Sequence, residues 1–136
     1  MKHKAIYITL IILSFSLLSC SEGPINKITL NNKADGDVYL SFRGSEIMVP
    51  SQTIVELEDI NNGEYEYETV YSVPAGASGF ASDGEMAGTL ALKAGTKILI
   101  IYSSITDSEG KYTIYASVTS SDDLSEDGIL PDPIGP

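Results

Sequence analysis

Carboxylates are the chemically capable groups this chain has in quantity: 19 Asp and Glu against eight Lys and Arg, with a single histidine, His3, and a single cysteine, Cys20. Four of them cluster around one turn, Glu56 and Glu58 before Asn62-Gly63 and Glu66 and Glu68 after it. Residues two apart on a strand share a face. Such a cluster could supply the acid and the base or nucleophile of a polysaccharide-cleaving enzyme, or oxygens for a calcium ion, or it could form a solvated hairpin face. The solvated face is the plainest expectation, because like charges on paired strands repel only mildly.

A second oxygen-rich run, Asp123-x-Ser125-x-Asp127-Gly128, has the spacing that opens a calcium loop, which makes Asp123, Ser125 and Asp127 candidate metal ligands. Its twelfth position is Ile134 instead of Glu, and prolines stand at 131 and 133, so an acidic tail is the simpler reading. Calcium is the one cofactor the sequence leaves open. Among aromatics, Tyr65, Tyr67 and Tyr71 share a strand face, and Glu66, Glu68 and Ser72 opposite them predict that the tyrosines point inward. Tyr65 could also close a tyrosine-corner-like bond near the turn. Tyr39 and Tyr115 stand opposite apolar residues on their own strands and, with Phe80, are the candidate ligand-binding aromatics, suited to stacking on a sugar ring.

The first residues concern location. Lys2 and Lys4 precede residues 5–18, a mainly apolar stretch. A membrane-spanning helix needs roughly 18 or more apolar residues, whereas a positive start and an apolar run of about 7–15 mark a secretory signal. Residues 1–19 are therefore expected to be an export signal. The four residues that end it, Leu17-Leu18-Ser19-Cys20, resemble the lipobox of bacterial lipoproteins. The resemblance implies that Cys20 becomes the mature N-terminus and carries a lipid such as palmitate on its sulfur, with residues 21–24 as a tether. Each acyl CH₂ buried in a bilayer contributes about 0.8 kcal/mol. Ser21 is not the Asp that marks inner-membrane retention in many lipoproteins, so the resemblance points to the outer membrane, with surface display open.

Without residues 1–19 the chain has no histidine and no free thiol, which excludes Ser-His-Asp and Cys-His catalysis and zinc sites built on Cys or His. Its charge becomes −13 (six Lys or Arg, 19 Asp or Glu), against −11 for the whole chain. Nucleic acid is an unsuitable partner, since its phosphates need clustered Lys and Arg. No internal disulfide is available, so stability must come from a core.

Residues 25–119 read as short strands separated by turn signals, with no apolar period of 3.6, which predicts an all-β antiparallel sandwich of seven or eight strands, immunoglobulin-like or transthyretin-like. Strands are expected over 27–30, 38–42, 46–49, 53–60, 64–73, 88–92, 98–102 and 111–119. Gly44-Ser45 and Asn62-Gly63 are expected as hairpin turns. The run PAGASGFASDGEM, residues 74–86, reads as a long loop. Ile98 to Tyr102 is apolar on both faces and predicts a central strand covered on each side. Residues 55–70, VELEDINNGEYEYETV, are similar to the strand-turn-strand signature of carboxypeptidase regulatory-like and transthyretin-like sandwiches, which implies that same fold. Residues 120–136, acidic and holding three prolines, are expected to form a flexible tail.

These readings converge on a lipid-anchored, non-enzymatic β-sandwich domain of the bacterial cell envelope that binds a protein or a glycan or serves in assembly. The alternatives are a small carboxylate-dependent enzyme acting on polysaccharide, or a structural subunit that assembles through its edge strands.

Overall fold

The structure is a computed structural model in which residues 25–126 are described. Nine strands fill most of that span: β1 Lys27–Asn32, β2 Val38–Phe42, β3 Ser45–Val49, β4 Thr53–Leu57, β5 Gly63–Tyr71, β6 Gly79–Gly84, β7 Ala87–Leu92, β8 Lys97–Thr106 and β9 Lys111–Ser120, followed by helix α1, Ser121–Glu126. One sheet has the order β4-β1-β8-β9-β6 and the other β3-β2-β5-β7. The result is the expected all-β sandwich with more strands than the seven or eight predicted. Most pairings are antiparallel, but β1–β8 and β6–β9 run parallel.

Period-2 patterning decides what faces inward. Ile28 and Leu30 of β1, Val38, Leu40 and Phe42 of β2, Ile98, Ile100 and Tyr102 of β8, and Tyr112, Ile114 and Ala116 of β9 meet between the sheets and are buried. Burying each large apolar side chain contributes about 1.5–3 kcal/mol. The hydroxyls of Thr69 on β5 and Tyr102 on β8 lie 2.9 Å apart and join the two sheets through the core. Burial pushes the Tyr102 hydroxyl up to about 12, partly opposed by the bond to Thr69, so it stays protonated.

Four local expectations change. First, the β2–β3 hairpin turns through Arg43 and Gly44, at φ 51 and 73, so Ser45 opens β3 and pairs with Phe42 instead of sitting in the turn. Positive φ at both central residues suits the right-handed twist of the flanking strands. Second, Asn62-Gly63 does not close a hairpin, because β4 and β5 belong to different sheets. The Asn62 side chain instead accepts a 2.9 Å bond from Nδ2 of buried Asn26, which also donates to Ile60 O, while Asn26 Oδ1 receives Thr96 N. Third, the run 74–86 contains β6, an edge strand paired in parallel with β9. Fourth, β8 is central in its sheet, but Leu99 on its outer face is 36% exposed and Ile101 half-buried, so solvent meets that face.

The start of the acidic tail is also ordered. β9 runs to Ser120, and α1 is tied down where Thr96 Oγ1 donates to Asp122 Oδ2 at 2.7 Å and Lys97 N donates to Ser121 Oγ at 3.0 Å. The export signal, Cys20 and the tether, and residues 127–136 of the tail, lie outside the described residues.

Candidate docking face on the four-stranded sheet

The outward residues of β3, β2, β5 and β7 line up in rows across the four-stranded sheet. One row is Met48, Tyr39 and Val70, with Tyr39 paired to both of its neighbours. Met48 is 49% and Val70 50% exposed, and Tyr39 between them is half-buried. The next row is Glu46, Ser41, Glu68 and Ala87. Beyond it Glu66 pairs with Thr89. An aliphatic stripe therefore borders a stripe of carboxylates and hydroxyls on one open surface.

The polar part holds an open trough of about 470 Å³ bordered by Ser41, Arg43, Glu66, Glu68 and Thr89. Glycine shapes its underside. Gly88 faces inward, and a Cβ there would come within 3.3 Å of the Tyr67 ring, which lies against the bare backbone. Tyr67 Oη then reaches Glu85 O at 3.0 Å. Burial raises the Tyr67 pKa, and the Glu85 charge adds to the effect, so this hydroxyl remains a donor. At the lip, the Arg43 guanidinium sits 5.3 Å from the Phe42 ring centroid, and Phe42 packs on Tyr65 at 5.3 Å. The Arg43 head is thus presented beside the trough by an aromatic pair and by its own left-handed turn.

The candidate aromatics do not gather in one place. Tyr39 lies on the outer face of the four-stranded sheet and Tyr115, also half-buried, on the outer face of the five-stranded sheet. Phe80 is 67% exposed at the sheet edge and packs edge-on against Tyr71, 6.5 Å between centroids, with Tyr71 in turn 6.3 Å from Tyr112. The β5 tyrosines point inward, and Tyr65 Oη donates to Asn61 O at 2.7 Å, a bond of the tyrosine-corner kind.

Nor do the four glutamates face one another. Glu66 and Glu68 stand on the four-stranded sheet, whereas Glu56 is on the other sheet, 2.9 Å from Lys27 Nζ. The hydrogen bond to Glu56 raises the Lys27 pKa. Asp123 and Ser125 lie within α1 and do not form an open loop, and Asp127 is outside the described residues. Among the described residues no group of three or more His, Cys, Asp or Glu is placed to hold a metal ion.

Sequence reading passed over Met48 and Val70. The signal was present: an aliphatic residue on the otherwise polar face of each strand, two positions from Glu46 and from Glu68. Protein-family models and curated proteins alike return no match for this chain.

Proposed function

We propose that this chain is a lipid-anchored, non-enzymatic binding domain of the bacterial cell envelope, held to the outer membrane through Cys20, whose outer four-stranded face docks a protein. The observation that carries the reading is the Met48–Tyr39–Val70 row beside Glu46, Glu66 and Glu68: aliphatics exposed in line and carboxylates next to them suit a partner surface of apolar and basic residues. The same charges oppose docking of this face on its own copy in a second chain.

The polarity of the sandwich supports it. β1 follows the tether in sequence, and of the large exposed apolar residues only Ile25 and Leu99 lie near the start of β1 among the described residues. Ile54, Met48, Val70, Val73, Phe80 and Ile105 lie toward the other end.

Two measurements test the reading. A photo-crosslinking side chain placed at position 48 or 70 should give a discrete protein adduct in living cells, and one at Glu109, on the β8–β9 turn, should not. Adducts equal at all three positions, or none at 48 and 70, would remove the docking face. Cys20→Ala should release the protein from the membrane fraction, and retention would remove the anchor. Protease added to intact cells then reports which side of the outer membrane the domain occupies.

A further inference from the structure

β6 pairs with β9 only from Lys111 to Ala116. It stops at Gly84, where φ is +82 and a Cβ would collide with Ala116 O. The chain then crosses to β7, the last strand of the other sheet. Residues 117–120 of β9 are thereby left with no strand on that side among the described residues, facing the equally open edge of β7. Between the two edges runs a groove of about 310 Å³, floored by Leu90, Ile98 and Val118, bordered by Glu85 and Thr89 at the β6 end and by Lys93, Asp122 and Asp123 where α1 begins. An unpaired edge above an apolar floor is what an added strand needs.

At the β6 end the Glu85 side chain stands in the way. Glu85 N completes the pairing by donating to Ala116 O at 2.8 Å, and its carboxylate turns back so that Oε2 accepts Val118 N at 2.7 Å. That oxygen occupies the position a carbonyl of an incoming strand would take. It also places a negative charge at the mouth of the groove. We propose that Glu85 is an edge guard, its carboxylate closing the lower edge of β9 against strand addition by a second copy of this chain.

The guard acts as an acceptor already in place, and this separates it from net charge alone. Glu85→Ala frees the Val118 N–H and opens the groove. Glu85→Gln keeps an oxygen able to accept the same bond. Glu109→Ala removes a charge from the distant β8–β9 turn and is the control. The full chain in density-matched detergent is followed by sedimentation and by amide exchange at Val118 over a concentration series.

At low concentration the Val118 amide of E85A should exchange faster than in the parent. As concentration rises, E85A should sediment toward dimer or larger, with the Val118 amide becoming protected as it does so. E85Q and E109A should stay monomeric with unchanged exchange. A folded E85A that remains monomeric over the same range overturns the proposal. So does association that leaves the Val118 amide unprotected, or association of E109A equal to that of E85A. If E85A does not fold by circular dichroism, Glu85→Asp, one methylene too short to hold the bond, is read by the same outcomes.

Discussion

Gly84 and Gly44 offer a matched test of whether the β6 end is held by a close backbone approach. Both have positive φ, +82 and +73, so alanine at either position meets the same left-handed penalty of roughly 1–2 kcal/mol. Space separates them: nothing lies within 4 Å of a Cβ at Gly44, whereas a Cβ at Gly84 collides with Ala116 O. To relieve that collision the end of β6 must move off β9. The move releases the Glu85 N to Ala116 O bond, about 1 kcal/mol, and the bond from Val118 N to the charged Glu85 oxygen, about 1.5–3 kcal/mol. G84A should therefore lose about 3.5–6 kcal/mol and G44A roughly 1–2, out of a total stability on the order of 5–15 kcal/mol. With a urea slope of about 2 kcal/mol per molar, the unfolding midpoint should fall by about 2–3 M in G84A and by about 1 M or less in G44A. Circular dichroism in urea at neutral pH reads both. Equal losses in the two variants would refute the argument, because the shared φ term would then account for everything and the Ala116 oxygen for nothing.

Two further outcomes follow from buried polar groups. Asn32→Ala should cost about 3–5 kcal/mol, because Nδ2 donates to Gly36 O and Val49 O, Oδ1 accepts from Ala34 N, and all three main-chain groups would lose their partner in a closed interior; Asn31→Ala on the outward face of the same strand should change the urea midpoint little. Tyr102 gives an alkaline signature. Its folded pKa of about 12 exceeds the ordinary 10.0, so the folded state holds the proton more tightly. That stabilisation is complete below pH about 10 and is lost as pH rises through about 12, by about 2–3 kcal/mol. Tyr102→Phe should flatten this part of the pH–stability curve.

The inward faces were legible because period-2 alternation is a local property of each strand. Val38-Leu40-Phe42, Tyr112-Ile114-Ala116 and the β5 tyrosines could be oriented from their own neighbours and lie as their spacing predicts. Partnership is not local, and there the reading departed. Asn62-Gly63 carries the strongest hairpin chemistry in the chain, yet the strand before it is claimed by β1, register Ile28 with Leu57, and the strand after it by β2 and β7. β6 was hidden because its partner is a parallel strand 32 residues later (Gly79 pairs with Lys111), and because Gly79, Ala81 and Ser82 are too small to show an apolar face. The exposed row on the four-stranded sheet was hidden for the same reason: Met48, Tyr39 and Val70 become one feature only when three strands are set in register.

That frequent change of sheet explains the polar residues buried at both ends of the sandwich. Only β2–β3 and β8–β9 are consecutive strands that pair, so every other connection crosses between sheets and leaves main-chain groups outside the ladders. Buried groups of that kind need partners. Asn32 supplies them at one end, to Gly36, Val49 and Ala34; Asn26 and Thr96 supply them at the other, where Thr96 Oγ1 accepts from Lys93 N and donates to Asp122. A buried Asn or Thr beside an Asp invites reading as a catalytic or metal-binding group. Here their hydrogen bonds run to the backbone of the crossings and to the helix that closes one end. Their chemistry is taken up by the fold, which leaves them no part in a site of their own.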